Sequence, residues 1–261
     1  MVDPLSEDER RRYARHLVLP HVGEEGQTKL LESSVLVVGA GGLGSPALLY
    51  LAAAGVGKIG IIDNDSVDLS NLQRQVIHSS SDIGDPKAES AARRLKRLNG
   101  DGDFLPIVER LTQENALSII DEYDVVIDGT DNFGARYLIG DACEILGKPW
   151  IFGSVHRFEG QVSTFNHEGG PNYRDLFPEP PPPEFAPNCA EAGVLGVLPG
   201  LVGTIQATEA LKIILGIGDT LNGKLLTVDS LTMITRVLTF NRNPERGAVT
   251  SLGDDSMEMR S

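Results

Sequence analysis

Residues 35–44, VLVVGAGGLG, decide the fold: an apolar run breaks into a turn with the pattern G-x-G-x-x-G. A second apolar run, residues 58–63 (KIGIID), follows and ends in an acid. A β-strand that leads through a glycine turn into a helix places unpaired amide N–H groups and the positive end of the helix dipole where a phosphate can bind. Asp63 follows Gly44 by 19 residues, close to the spacing at which a carboxylate meets ribose hydroxyls. The sequence therefore predicts a nucleotide-binding unit.

The glycine turn alone leaves the nucleotide open. In such turns one glycine permits the tight bend, one lets a phosphate approach the backbone, and one lets the helix pack closely on the strand. Residues 45–55 then indicate a buried, alanine-rich helix. On these features a nicotinamide dehydrogenase and another nucleotide enzyme are equally favoured, and a turn that binds nothing is the least favoured interpretation.

The composition is that of a globular protein. The 261 residues are 41% hydrophobic and 23% charged. The net charge of −14 argues against a nucleic-acid-binding protein, since affinity for phosphates comes largely from clustered Lys and Arg. No apolar stretch reaches the length of a membrane span, and the N-terminus lacks a signal-peptide pattern. We therefore expect a cytoplasmic protein that binds neither nucleic acid nor membrane.

The two cysteines, Cys143 and Cys189, lie in different settings. Two thiols cannot complete a four-cysteine zinc site, and a structural disulfide is not expected in a reducing cytosol. Cys143 belongs to a helical apolar pattern, which predicts burial. Cys189 follows a proline-rich loop, so we expect it to be exposed and reactive.

Strand-like and helix-like runs alternate through the first half of the chain. This alternation predicts an α/β fold, a Rossmann-like doubly wound sheet whose strands are parallel. Ligands of such sheets bind outside the carboxyl ends of the strands, which here are the glycine turn, Asp63, the turn 129–131 and the loop after Gly153. Further predicted strands are 104–108, 124–128 and 149–153, and the predicted helices are 86–98, 113–120 and 133–146.

The second half has a different pattern, which predicts that antiparallel strands continue the sheet. Residues 160–165 alternate like a strand, 224–228 and 235–240 resemble an antiparallel pair, and 201–215 form a long amphipathic helix. A proline-rich loop, about residues 167–188, interrupts this half. We predict one domain over residues 1–245, divided into a nucleotide-binding half (about 30–155) and a second half (about 156–245), and a disordered tail (246–261).

Polar and cationic side chains follow the second strand, and they argue against a flat nicotinamide pocket. Arg74 and Lys87, with Asn71 and Gln75, suit the orientation of a phosphate chain, although each cation taken singly is as often a solvated surface charge. Asp131, in the DGTDN turn, has two interpretations: a ligand of Mg²⁺ on a triphosphate, or the N-cap of the following helix.

Seven motifs, in order, make the chain similar to the MoeB/ThiF/HesA family of ubiquitin-activating-enzyme-like adenylyltransferases. The resemblance spans about residues 5–244. It implies that the protein uses ATP and Mg²⁺ to adenylate the C-terminal glycine of a small ubiquitin-like sulfur carrier of the MoaD, ThiS or CysO kind, ending in Gly-Gly. Sulfur then attacks the adenylate to give a thiocarboxylate. The motifs are RYARHLVLP, GAGGLGSP, DNDSVDLSNLQRQ, GDPKAES, DGTDNFGARY, FEGQVSTF and NCAEAGVLGVLPG.

The resemblance also implies roles for residues at matching positions. Asp63 would contact the ribose, Asp131 the Mg²⁺ or the reacting carboxylate, and Arg15 would reach into the ATP site of the partner subunit of a homodimer. Cys189 matches a cysteine that in some relatives forms a thioester or acyl disulfide with the carrier. The implied cofactor-binding residues are Gly39, Gly41, Gly42, Gly44, Asp63, Asn71, Arg74, Gln75, Lys87 and Asp131, and the implied catalytic residues are Arg74, Lys87, Asp131, Arg15 and Cys189.

The sequence departs from many relatives where they bind structural zinc through two Cys-x-x-Cys pairs. Residues 172–176 read NYRDL and residues 244–247 read PERG, so we predict no zinc site. The proline-rich form of this region resembles a branch that often carries a C-terminal rhodanese domain, which this sequence does not contain. We therefore expect a separate sulfur donor, a rhodanese or a cysteine desulfurase, or a chain that is a fragment of a longer protein.

Three other functions stay open at this point. A dehydrogenase would bind NAD and show no ATP–pyrophosphate exchange. An enzyme of the same superfamily acting on a transfer RNA base or a small molecule fits the fold but suits the net charge of −14 poorly. A non-catalytic scaffold would bind ATP without exchange. The carrier and its pathway, among them molybdopterin and thiamine biosynthesis, are not identified by the sequence.

Overall fold

A computed structural model describes residues 5–180 and 193–253 of the chain, and these residues form one mixed sheet of eight strands. The strands are β1 (Ser34–Val38), β2 (Lys58–Ile62), β3 (Asp103–Ile107), β4 (Val125–Asp128), β5 (Trp150–His156), β6 (Glu159–Phe165), β7 (Lys224–Asp229) and β8 (Ile234–Thr239). Their order across the sheet is β3-β2-β1-β4-β5-β6-β7-β8. The first five are parallel, and β5 to β8 pair antiparallel, which confirms the predicted fold class.

Helices cover both faces of the sheet. Its central strands bury their side chains on both sides, as continuous apolar runs predict: all four residues of β4 are buried. The described helices are α1 (Glu7–Arg12), α2 (Ala14–Leu17), α3 (Gly23–Glu32), α4 (Gly44–Ala54), α5 (Lys87–Leu98), α6 (Ala116–Asp121), α7 (Phe133–Leu146), α8 (Tyr173–Leu176) and α9 (Leu198–Leu215), with short 3-10 turns at Leu69–Asn71 and Ser80–Asp82.

Two apolar cores lie on opposite faces of β1. Val35 and Val37 face a core that includes residues of α4, α5 and α9, whereas Leu36 and Val38 face one that includes residues of α6 and α7. Alternate side chains of a strand point to opposite faces, so one strand supplies both cores. The sheet is therefore doubly wound in the nucleotide-binding half.

Helix α9 is a core helix of the domain. By length and composition alone it is the one described helix that could cross a membrane. It packs against α4 and β5, and Val202 and Ala210 are buried in the core. The Gln206 amide donates to the backbone oxygens of Asp128 (2.7 Å) and Ile151 (3.2 Å). The helix starts at Leu198, three residues before the predicted start, with a proline in its first turn where no N–H is needed.

The prediction that a ligand-binding loop follows Gly153 is wrong. Strand β5 continues to His156 and turns through Arg157, whose φ is +53°, directly into β6. The chain therefore makes a hairpin there. The helix predicted from residue 113 begins later, at Ala116, because the Asn115 side chain accepts a hydrogen bond from the Thr112 N–H and forms a turn instead.

Arg246 ties the C-terminal segment to the domain, and it lies in the segment 244–247 where we predict no zinc site. Its guanidinium contacts Asp175 Oδ1 at 2.9 Å and Glu144 Oε1 at 3.0 Å. The Asp175 side chain is fully buried, and it also accepts from the backbone N–H groups of Asn172 and Asn243. Residues 246–253, the first part of the tail predicted to be disordered, thus begin with contacts to the domain. Residues 254–261 lie outside the described residues.

Candidate active site

The glycine turn between β1 and α4 is built by close approaches of backbone to backbone. Gly39 has a φ of +95°, and a Cβ there would lie 2.8 Å from the Gly129 oxygen. A Cβ on Gly44 would lie 1.9 Å from the Gly39 oxygen. Only glycine fits at these two positions, and the contact with Gly129 brings the turn 129–131 beside the glycine turn.

Asp63, at the end of β2, holds the glycine turn from one side. Its Oδ2 accepts from the Ala40 N–H at 2.8 Å, and its Oδ1 accepts from the Asp65 N–H at 2.8 Å. Burial raises the pKa of Asp63, and the hydrogen bonds from the two N–H groups act in the opposite direction. Each carboxylate oxygen keeps a second lone pair, so Asp63 can brace the turn and still accept from ribose hydroxyls.

The turn presents open donors. No described residue accepts a backbone hydrogen bond from the N–H of Gly41 or of Gly42, and both glycines are only half-buried. Donors of this kind next to the start of a helix favour an anion. The glycine turn therefore has the character of a phosphate site.

The segment after β2 places two predicted contacts against this turn. A Cβ built on Gly41 would lie 3.6 Å from Gln75 Nε2, and one on Gly42 would lie 3.6 Å from Arg74 Cγ. Gln75 is buried, and its Oε1 has no hydrogen-bond partner among the described residues. Asn71 ends the 3-10 turn Leu69–Asn71, where its Oδ1 accepts from the Asp68 N–H at 3.1 Å.

Lys87 supplies a nearly buried cation. It is the first residue of α5, its side chain is 8% exposed, and its Nζ lies 2.9 Å from Asp65 Oδ2. The Lys87 N–H also donates to the Asp65 oxygen. Asp65 is 64% exposed in its side chain, so the pair stands at the rim of the site and not within the core.

The two aspartates at the carboxyl end of β4, Asp128 and Asp131, lie in different environments. Asp128 is fully buried; burial raises its pKa to about 6, the Arg136 cation opposes this rise, and Oδ1 accepts from the N–H and hydroxyl of Thr130. Asn132, not Asp131, caps α7, because its side chain accepts from the Ala135 N–H. Asp131 is exposed, so its carboxylate is available to a ligand.

Comparison with known proteins gives this arrangement a family. Residues 13–248 match the ThiF family. The chain belongs to the ThiF family. It is 52% identical to the sulfur carrier protein adenylyltransferase of Thermus thermophilus, covering 92% of this chain and 90% of that protein. It is 49% identical to the SAMP-activating enzyme E1 of Haloferax volcanii, covering 95% and 91% respectively.

Two further comparisons bear on the length and the fold of this ThiF-family chain. The probable adenylyltransferase/sulfurtransferase MoeZ of Mycobacterium tuberculosis is 49% identical over 97% of this chain and 67% of its own length. The crystal structure of E. coli MccB with AMPCPP and MccA has a TM-score of 0.80 at 22% identity, over 95% of this chain and 75% of that one. The second similarity supports the fold alone. The family resemblance predicted from the sequence motifs is confirmed, and a dehydrogenase is no longer favoured.

A ThiF-family adenylyltransferase uses ATP, and the residues fit a magnesium ion bound with it. No group of three or more His, Cys, Asp or Glu side chains that could hold a metal occurs in the described residues. Magnesium bound with nucleotide phosphates needs only one or two protein carboxylates. The carboxylate of Asp131 is exposed and could serve as one such ligand.

Arg15 and Cys189 are the two remaining predicted catalytic residues. Arg15 lies on α2, is exposed, and has no hydrogen-bond or ion-pair partner among the described residues. Cys189 lies outside the described residues. Cys143, by contrast, is fully buried in α7, and burial raises the pKa of its thiol, as expected of an inert core cysteine.

Two site residues of this ThiF-family fold are missing from the sequence predictions. Asp65 pairs with Lys87 across 22 positions, and no periodic pattern reveals that pairing. His78 lies in RQVIHSS, three residues after Gln75, and its imidazole Nε2 lies 3.0 Å from the Ala40 oxygen. An apolar pair, Val76 and Ile77, just before a histidine was the available signal of burial.

Proposed function

We propose that this chain is an ATP-dependent adenylyltransferase that activates the C-terminal glycine of a small ubiquitin-like sulfur-carrier protein. The observation that carries the proposal is the pair of open N–H donors at Gly41 and Gly42, with Gln75 and Arg74 against them. The nearly buried Lys87 interacts electrostatically with Asp63, which holds the same turn. The proposal is supported by relatives about half identical over nearly the whole chain, which are named adenylyltransferases.

The proposed reaction joins two anions. A C-terminal carboxylate, with a pKa of about 3.5, is ionised at neutral pH, so the enzyme needs no general base. One carboxylate oxygen attacks the α-phosphorus of ATP, the bond from that phosphorus to the bridging oxygen breaks, and pyrophosphate leaves with the bonding electrons. Arg74 and Lys87 would offset the charge that gathers on the phosphates, so positioning and electrostatics supply most of the rate.

The site would allow Lys87 to exchange its contact with Asp65 for one with a phosphate. In the free chain its ammonium contacts Asp65, which water already reaches. A phosphate can therefore take the ammonium while Asp65 turns to solvent, and no buried carboxylate is left unpaired. Asp131 would hold Mg²⁺, which neutralises phosphate charge when it is bound with ATP.

We assign the carrier protein to the second half of the domain, about residues 156–245. Strand β8 is exposed along its length, and Ile234, Val237 and Leu238 are 47%, 52% and 55% exposed. Exposed apolar side chains grouped on one strand support a protein partner for this half. Arg15, as an exposed cation without a described partner, would complete the ATP site of a second copy in a homodimer.

Sulfur would come from a rhodanese or a cysteine desulfurase, in the cytoplasm. The Cys189 thiolate would displace AMP from the carrier adenylate to form a thioester. If Cys189 has first received a sulfur from the donor as a persulfide, its terminal sulfur would displace AMP instead and form an acyl disulfide. We expect Cys189→Ala to leave carrier-dependent ATP–pyrophosphate exchange intact and to lower the yield of thiocarboxylate, measured by mass spectrometry of the carrier. An unchanged yield would remove Cys189 from the reaction.

The decisive experiment is ATP–pyrophosphate exchange with a panel of small proteins that end in Gly-Gly, with and without Mg²⁺. We expect exchange with at least one carrier and none with the same carrier after its last glycine is deleted. Binding of NAD in place of ATP, or binding of ATP without exchange on any carrier, would contradict the proposal and favour a dehydrogenase or a scaffold.

A further inference from the structure

His78 is a buried histidine that the proposed reaction does not use. It is 7% exposed and follows the segment that carries Arg74 and Gln75. Its Nε2 lies 3.0 Å from the Ala40 oxygen, and its Nδ1 lies 2.8 Å from the hydroxyl of Ser90 on α5. The imidazole thus connects the glycine turn to the helix that begins with Lys87.

The two contacts define the proton arrangement of the ring. A carbonyl oxygen can only accept, so Nε2 carries the proton and donates to Ala40. Burial lowers the pKa of His78, which favours the neutral ring. Nδ1 is then an acceptor, and the Ser90 hydroxyl donates to it. The Ala40 carbonyl thus fixes the tautomer, and Ser90 fixes the orientation of the ring.

Ala40 is held through both of its backbone polar atoms. Its N–H donates to Asp63, and its carbonyl accepts from His78. The carbonyl of Ala40 and the N–H of Gly41 belong to one planar trans peptide group, in which they point in opposite directions. A donor that fixes the carbonyl on the α5 side therefore turns the Gly41 N–H away from α5.

We propose that His78 is a positioning residue for ATP: by holding the Ala40 carbonyl it aims the open N–H of Gly41 at the nucleotide phosphates. This inference rests on the proposed function, because it assigns the ligand of that same turn. Asp63 holds only the preceding peptide group, through the Ala40 N–H, so without His78 the Ala40–Gly41 peptide group has no hydrogen-bond partner among the described residues and can rotate its donor out of line. Part of the free energy of ATP binding is then spent on ordering the turn, so the affinity falls.

The test is the dissociation constant of ATP with Mg²⁺, measured by titration calorimetry on the full chain without any carrier. We expect His78→Ala to weaken binding about tenfold, the loss of one hydrogen bond. His78→Gln carries an amide that reaches the Nε2 position, so we expect it to restore affinity to within about twofold. His78→Asn reaches only the Nδ1 position, and we expect it to bind ATP as weakly as His78→Ala.

Asn99→Ala is the matched control. Asn99 is equally buried, and its Nδ2 donates at 3.0 Å to the Ala52 oxygen near the opposite end of α4 and at 3.0 Å to the Tyr13 hydroxyl. This variant should lower the thermal midpoint without changing ATP affinity. Equal affinities of His78→Gln and His78→Asn, or equal effects of His78→Ala and Asn99→Ala, would overturn the inference. Failure of the unaltered chain to bind ATP would instead overturn the proposed function.

Discussion

The two halves of the domain are held together in different ways. In the nucleotide-binding half, backbone approaches backbone: a Cβ on Gly44 would lie 1.9 Å from the Gly39 oxygen, and every residue of β4 is buried. In the second half, the last strand is exposed along its length, and Arg246, just beyond that half, secures the C-terminal segment through Asp175 and through Glu144 of α7. The glycine turn is thus specified by the shape of the backbone, and the attachment of the C-terminal segment by charged side chains.

This difference separates two kinds of sensitivity to substitution. A site formed by backbone donors tolerates no added atoms but contains few charges whose loss would unfold it. A segment tied by a buried ion pair tolerates changes of shape at its surface, yet removal of one partner leaves a charge without compensation. Substitutions in the nucleotide-binding half should therefore affect activity more than stability. Substitutions that break the contacts of the C-terminal segment should affect stability more than activity.

The largest expected effect is on stability, when the contact between Arg246 and Asp175 is removed. Arg246→Ala leaves Asp175, whose side chain is fully buried, without its cation. Removal of one partner of a buried pair costs about 3 kcal/mol, so we expect a loss of about that size in the free energy of unfolding by urea. Arg93→Ala is the matched control, because Arg93 also joins two carboxylates, Asp82 and Asp85, but is 41% exposed. It should cost much less.

The same variant has a pH signature. Burial raises the pKa of Asp175, but the hydrogen bonds from Arg246 and from two backbone N–H groups outweigh burial and hold the pKa below its usual value. A carboxyl with a depressed pKa stabilises the fold above its unfolded pKa of about 3.9 and loses that contribution as the pH falls through the folded value. The difference between the unaltered chain and Arg246→Ala should therefore shrink below about pH 4. A difference that stays constant from pH 7 to pH 3 would exclude the ion pair as its source.

The next effect is on activity in the first half. Lys87→Ala removes the nearly buried cation beside the glycine turn, and we expect carrier-dependent ATP–pyrophosphate exchange to fall about 10- to 100-fold, as for the loss of one charged hydrogen bond. The free energy of unfolding should change little, because Asp65 is already in water. Lys29→Ala is the control: its ion pair with Glu25 has the same length, 2.9 Å, but lies on α3. Equal exchange rates of the two variants would show that Lys87 does not act on ATP.

Sequence predicts the local part of this architecture and misses the part made between distant residues. The glycine turn, Asp63 and the alternation of strands and helices each follow from a short stretch of chain, and the structure contains them within a few residues. The pairs Lys87 with Asp65 and Arg246 with Asp175 join positions 22 and 71 residues apart, so no spacing signals them. The N-cap of α7 shows the same limit at short range, since two adjacent residues, Asp131 and Asn132, were equally suited to it.

The smallest expected effect compares two helical glycines, one in each half. Gly44→Ala forces the new Cβ against the Gly39 oxygen, and we expect it to lower the free energy of unfolding by about 1–3 kcal/mol, the usual cost of overpacking, and to weaken ATP binding. Gly200, in α9, has no atom of the other described parts of the chain within 4 Å of its Cβ position, so Gly200→Ala should stabilise the chain by about 0.5–1 kcal/mol through the lower entropy of its unfolded state. Urea unfolding of both variants measures whether each substitution raises or lowers the free energy of unfolding. Equal changes in the free energy of unfolding would mean that the glycine turn can move to admit a side chain. The close approach of backbone to backbone would then not be what specifies the nucleotide-binding half.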